Sequence, residues 1–187
     1  MAMRASPNDW TVERLHRIPD DGQRYEIIDG ELFVTPSPAP RHQYVVIRLL
    51  AQLIEYCDYV GLQVLTAPAD VIVSIDTLVQ PDVFVVPLDA AGRPPATYKE
   101  FGRPLLVVEV LSPSTARVDR DQKRRLYRDM QVPEYWIVDV ETRSVERSVS
   151  SDREPEVLRN AIIWNPMTNL KPLEIDLVEL FRRVYGD

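Results

Sequence analysis

Residues 105–111 read Leu-Leu-Val-Val-Glu-Val-Leu, and residues 134–140 read Glu-Tyr-Trp-Ile-Val-Asp-Val. Two near-continuous apolar runs of strand length, with a helical stretch between them, constrain the fold more than any other feature. A strand that is apolar on both faces needs cover on both, as a parallel sheet between helices has. Ser112-Pro113-Ser114-Thr115 breaks the first run and supplies hydroxyls suited to helix capping. Residues 116–130 suit a helix, which Val132-Pro133 ends. The unit 105–140 is therefore expected as a right-handed parallel strand–helix–strand crossover in an α/β domain.

The rest of the chain is read around this unit. Residues 1–22 are polar, with a short helix from Thr11 to His16. RYEIIDGELFV reads as two strands about Asp29-Gly30, a two-residue hairpin signal. The proline-rich 35–40 ends that hairpin. From His42 to Asp58, Val45, Ile47, Leu49, Leu50, Leu53 and Ile54 recur at three- and four-residue spacing, as in a helix with a wide buried face. A strand pair is expected at 62–66 and 69–75, then Gln80-Pro81-Asp82 and the apolar run 83–86. Residues 89–103 read as a long loop, a candidate flap. After Glu141 the signal weakens until LEIDLVELFRRV, a short strand turning into a terminal helix. With 187 residues and no internal repeat, the expectation is one domain, its core at about 24–140 and its periphery at 141–187.

Composition narrows the function classes. The one cysteine, Cys57, excludes an intramolecular disulfide and reads as a packed small hydrophobe. The N-terminus lacks the apolar core of a signal peptide, and no apolar run approaches the roughly 20 residues that cross a bilayer. A cytoplasmic protein is expected. A net charge of -7 argues against a nucleic-acid coat protein. It leaves room for a local basic surface, and Arg117, Arg120, Lys123, Arg124, Arg125 and Arg128 cluster against Asp119 and Asp121. The plainer account of that cluster is a solvated helix face.

Glu109 stands alone in its strand of leucines and valines. Buried without a partner, its carboxylate is strongly disfavoured unless it takes up a proton. A metal ion supplies such a partner; an arginine, or an outward position on an edge strand, are the alternatives. Asp82 opens the preceding strand after a proline and, taken singly, reads as a strand-start aspartate. Together the two carboxylates suit magnesium, which takes one or two carboxylates plus waters and phosphate oxygens. The backbone carbonyl of Val110 offers one more ligand. Asp119, Lys123 and Tyr127 follow at spacings of four and share a helix face. Lys123 either reaches the carboxylates or covers the sheet with its stem. Tyr135 and Trp136 read as packing residues.

Taken in order, YEIIDGEL, PSPAPRH, QPDVFVV and LLVVEVLSPST…D…K…Y…VPEYWIVD resemble the Uma-type "putative restriction endonuclease" family, once a domain of unknown function, in the PD-(D/E)XK nuclease superfamily. The resemblance runs over about 24–140. It implies the restriction-endonuclease-like fold, a mixed central sheet flanked by helices with an N-terminal hairpin extension, and a magnesium-dependent centre in which manganese can substitute. By position, Asp82 matches the motif aspartate and Glu109 the motif acid. The usual lysine position holds Leu111, and its role passes to Lys123. Glu26 matches another acidic position, and His42 a recurring histidine, although a histidine at a helix start is more often a cap or packing residue. The implied activity is metal-dependent endonuclease cleavage of DNA by a homodimer. The alternatives are a catalytically silent nuclease-fold module and a metal-dependent hydrolase of another phosphoester.

Overall fold

Asp29 and Gly30 both adopt positive φ, 50° and 75°, the backbone that a type I′ turn requires. They join β1 (Arg24–Ile28) to β2 (Glu31–Thr35) in register Ile28↔Glu31. The computed structural model describes residues 9–35, 37–94, 102–152 and 154–187. Before the hairpin lies α1 (Val12–Leu15), capped by the Thr11 side chain. After it comes α2 (Pro40–Val60), begun by a proline in the first turn and closed by Gly61 at φ 75°. Its buried positions are His42, Val45, Val46, Leu49, Leu53, Cys57 and Val60, the expected helical spacing.

Four strands follow: β3 (Leu62–Thr66), β4 (Val71–Ser74), β5 (Thr77–Val79) and β6 (Val83–Pro87). The expected pairing of 62–66 with 69–75 is not formed. β3 pairs antiparallel with β6, and β4 with β5. The reason lies in where each strand buries its side chains. Leu62 packs with the α2 core, whereas Ala69 and Val71 pack in a second core on the other side. Only three residues form β5, too few for a periodic signal in the sequence.

Next are β7 (Leu106–Val110), α3 (Ala116–Val118), a π-helical turn (Asp119–Lys123), α4 (Arg124–Asp129) and β8 (Glu134–Asp139). β7 and β8 pair in parallel, as expected of a crossover. The single regular helix expected over 116–130 is interrupted by the π turn, the kind of local widening that recurs at functional sites. The chain then adds β9 (Ser144–Val149), β10 (Glu156–Leu158), β11 (Ala161–Trp164), β12 (Leu173–Asp176) and α5 (Leu177–Tyr185). Of the loop expected over 89–103, residues 95–101 lie outside the described residues.

The central sheet has six strands in the order β10-β9-β8-β7-β6-β3, antiparallel except for β7 against β8. One face carries Val83, Val85, Leu106, Val108 and Trp136, packed with α2, α5 and the β11–β12 pair. The opposite face carries Phe84, Val107, Tyr135 and Ile137, packed with Tyr127 of α4 and with Ile28 and Val79 of a second sheet, ordered β2-β1-β5-β4. The hairpin is thus built into a layer over the central sheet. Among the described residues no helix is long and apolar enough to cross a membrane.

Candidate active site

Strand alternation decides where the acids point. Leu106, Val108 and Val110 face α2, and Val107 faces the opposite layer. Glu109 shares the parity of Val107 and so projects under α4 and the four-stranded sheet. On β6, Val83 and Val85 face α2 while Phe84 and Val86 face away. Asp82 has the parity of Phe84, the same side as Glu109. The β6–β7 register pairs Val83 with Val108; carried on by one residue, it sets Asp82 across from Glu109. The Val110 N–H donates to Asp82 Oδ2 at 2.9 Å, which ties the two strand ends together.

Lys123 enters the same space from the π turn. Its Nζ lies 2.9 Å from Glu109 Oε1, 2.9 Å from Glu26 Oε1 and 3.6 Å from Asp119 Oδ1. Tyr127, one turn on, donates its hydroxyl to Glu109 Oε1 at 3.2 Å. Glu26 arrives from β1, where Gln80 N–H also holds its Oε1 at 2.7 Å. Asp82 is gripped from its other side: Arg24 Nη1 lies 3.1 Å from Oδ1, and His42 Nε2 3.0 Å from Oδ2. The sequence-derived residues Glu26, Asp82, Glu109 and Lys123 are therefore together in one buried cluster, lining a cavity of about 190 Å³.

Burial and mutual charge set the proton affinities. Burial pushes the Glu109 carboxyl well above its ordinary range; Lys123 pulls it back, while Asp82, Asp119 and Glu26 push it further up. Burial likewise raises Asp119, to about 6. Burial also disfavours ionised Asp82, but His42, Arg24 and the Val110 N–H outweigh it and hold that carboxyl at about 2. Burial works against the Lys123 ammonium, yet Glu109, Glu26 and Asp119 overcome it, so the lysine stays protonated.

With all four acids ionised, Glu26, Asp82, Glu109 and Asp119 outnumber the two permanent cations, Arg24 and Lys123. Protons on the raised carboxyls or a divalent cation would cancel the surplus. Glu26 and Glu109 both line the cavity, and the Asp119 Oδ1 beside Lys123 is a buried oxygen without a hydrogen-bond partner among the described residues. Among the described residues no three His, Cys, Asp or Glu side chains form a ready ligand group. Two carboxylates on the cavity wall are within what a cation such as magnesium takes, since it binds through one or two carboxylates and keeps several waters. To join it, Asp82 must share an oxygen that already accepts a hydrogen bond.

Three more residues belong to the cluster. His42, which matches a recurring histidine of the resemblance but is expected as a cap or packing residue, reaches Asp82 with its ring from the first turn of α2. Asp119 shares the helix face of Lys123 and meets its Nζ. Arg24 has no site signal of its own in the sequence beyond its place two residues before Glu26 on one strand, which puts both on the same side. The helix arginines divide. Arg120 donates to Glu146 at 2.7 Å and to Asp139 at 3.0 Å, and Arg124 also pairs with Glu146. Arg117, Arg125 and Arg128 are exposed.

A family model described as "Putative restriction endonuclease", Uma2, matches residues 12–168. The chain belongs to the Uma2 family. The matched span holds every residue of the acidic cavity. An uncharacterized protein of Synechocystis sp. is 32% identical to this Uma2 chain over 108 residues, 56% of this chain and 54% of the relative. The chain spans about half the length of that curated relative. A crystal structure of "a putative nuclease belonging to DUF820" from Anabaena variabilis ATCC 29413 superposes with TM-score 0.75 at 16% identity, covering 94% of this chain and 99% of that one. That likeness establishes the fold: an α/β domain with a mixed sheet flanked by helices. Uma2 membership supports nuclease chemistry.

Proposed function

We propose that this Uma2 chain is a cytoplasmic, magnesium-dependent endonuclease that hydrolyses DNA phosphodiesters, with manganese as a substitute. The observation that carries this is the disposition of Asp82 and Glu109 across one strand ladder beside the buried ammonium of Lys123. Asp82 and Glu109, with the Val110 carbonyl, would hold the cation. When bound, the cation would supply a more acidic water and offset charge on the scissile phosphate. The chain's own residues do the rest. Arg24 and His42 orient Asp82. Glu26 and Asp119 hold Lys123 Nζ beside Glu109. The ammonium keeps its proton and offers N–H donors to charge that develops on phosphate, in a low-dielectric pocket where such contacts are strongest. The layer formed by α4 and the four-stranded sheet limits water around the cluster.

One observation favours a second substrate class. Arg120 and Arg124, candidates for contact with a DNA backbone, are engaged by Glu146 and Asp139, and the net charge is -7. Both features suit a smaller phosphodiester. The test incubates the protein with supercoiled plasmid, single-stranded DNA, RNA and a chromogenic phosphodiester, with magnesium, manganese or a chelator. A Glu109→Ala variant serves as the control. Metal-dependent plasmid cleavage lost in the variant supports the DNA assignment. Cleavage of RNA or the small ester alone would keep the chemistry and reject DNA. Equal background in wild type and control on every substrate would leave a silent nuclease-fold module.

A further inference from the structure

A second, larger concavity adjoins the acidic one. It measures about 630 Å³, against about 190 Å³ for the acidic cavity. Ala39, His42, Ser112 and Pro113 line both, so the two share a wall. The parallel strands β7 and β8 run out here into Leu111 and Val140, which line it. The carboxyl ends of parallel strands are where α/β sheets take ligands. His42 stands in the shared wall. Its Nε2 meets Asp82 at 3.0 Å, while its Nδ1 is buried and has no hydrogen-bond partner among the described residues. A buried nitrogen left unsatisfied marks a place where a partner is missing.

The lining identifies the occupant. Pro40, Leu111, Pro113 and Ala116 give apolar walls, and Arg41 and Arg120 are the cations. Of its acids, Asp139 and Glu141, Asp139 already accepts from Arg120 at 3.0 Å. The Arg41 guanidinium lies 4.5 Å over the Tyr185 ring, a contact that holds its plane and keeps its charge. A concavity of this size takes an organic group rather than an ion. A nucleobase suits it, with apolar faces for the walls and a π system that stacks on guanidinium planes. A base inside a duplex is stacked on both faces and paired at its edge, so it enters such a concavity only by leaving the stack. An unpaired base is free to enter. Duplex binding also draws on several phosphate contacts, whereas Arg120 and Arg124 are engaged by Glu146 and Asp139.

We propose that this concavity holds one unpaired nucleobase beside the phosphodiester at the acidic cavity, and that the preferred substrate is single-stranded. The inference rests on the reading of the acidic cavity as the hydrolytic centre, and nucleosides, which carry no phosphate, separate the two. The amide resonances of the nitrogen-15-labelled full chain are followed, without metal, as each of the four deoxyribonucleosides is added. Leu111, Ser112, Ala116 and Glu141 should shift saturably at millimolar concentration with at least one of them. Ala116→Trp sets an indole where the base would lie and should abolish the shifts. Glu141→Trp does the same from an exposed position, which a change of side chain leaves folded. With magnesium, an oligonucleotide should be cut at least tenfold faster alone than annealed to its complement. No shift with any nucleoside, or shifts unchanged in both tryptophan variants, would overturn the proposal. Equal cleavage of strand and duplex would overturn it as well. Nucleoside binding at these residues with no cleavage of any substrate would keep the base subsite and reject the hydrolytic reading instead.

Discussion

Lys123 Nζ lies 2.9 Å from Glu26 Oε1, and this contact joins a strand of the four-stranded sheet to the π turn that flanks the central sheet. The same ammonium meets Glu109 at 2.9 Å on the central sheet itself. One buried cation therefore connects the layers of the fold at the place where the acidic residues gather. Stability and site geometry depend on the same atoms.

Replacing Lys123 with methionine removes the charge and leaves Glu26, Glu109 and Asp119 facing one another in a buried space. Breaking a buried ion pair by removing one partner typically costs about 3–5 kcal/mol. The Lys123→Met variant should lose stability of that order in urea at pH 7. At pH 5 the loss should be smaller, because Glu109 and Asp119, whose proton affinities are already raised, become neutral more readily. A variant as stable as wild type at pH 7 would mean that the three acids are not held ionised around the lysine.

Asp82 makes the opposite kind of contribution to acid stability. Its carboxyl sits at about 2 in the folded protein, against 3.8 as the ordinary value. A group held below its unfolded value stabilises the fold above about pH 4, and that stability is lost as pH falls through about 2. The shift corresponds to about 2 kcal/mol. Asp82→Asn should therefore be less stable than wild type by about that amount at neutral pH, and the two unfolding curves should converge towards pH 2. A constant gap down to pH 2 would show that the charge of Asp82 is not what His42 and Arg24 hold.

Asp119 runs the other way. Burial raises its carboxyl from 3.8 to about 6. A group raised above its unfolded value stabilises the fold fully below about pH 4, and this is lost as pH rises through about 6. The change is about 3 kcal/mol. Asp119→Asn carries no charge to desolvate, so its stability relative to wild type should climb between pH 4 and 6 and then level off. Chemical denaturation at half-unit pH steps measures this; a flat difference across that window would remove Asp119 from the buried charge balance.

The sequence was most legible where one residue contradicted its neighbours. Glu109 among leucines and valines, and the parity of a buried strand, suffice to aim a carboxylate into the layer beneath the helix. Asp29-Gly30 specified its turn because few residue pairs tolerate two positive φ values. What stayed hidden was set by contacts between distant segments. His42 caps no helix end with its side chain; it meets Asp82, 40 positions away in the chain, and no local pattern records that. β9 reads Ser-Val-Glu-Arg-Ser-Val, and its Glu146 is bound by arginines of the preceding helix, so a polar-looking stretch is a sheet member. β4 left the strand preceding it because its apolar side chains fit the second core, a choice made by the whole packing and not by the segment.

The surplus of negative charge in the cavity predicts its response to divalent ions. A ligand that binds only the folded state stabilises it by RT ln(1 + [L]/Kd), about 1.4 kcal/mol at a concentration ten times Kd. For a domain of this size that raises the melting temperature by roughly 3–6 °C. Magnesium and manganese should each produce such a rise in differential scanning calorimetry, and a chelator should reverse it. Glu109→Gln preserves the shape of the side chain and removes the charge that the cation would cancel, so the rise should vanish in that variant. Glu146→Gln supplies the comparison: Glu146 is engaged by Arg120 and Arg124 and lies outside the cavity lining, so its variant should keep the full response. An equal rise in wild type and Glu109→Gln would place the bound ion elsewhere on the acidic surface. No rise in wild type at millimolar metal would mean that Lys123, Arg24 and protons alone neutralise the cluster, and that Glu109 carries a proton at neutral pH.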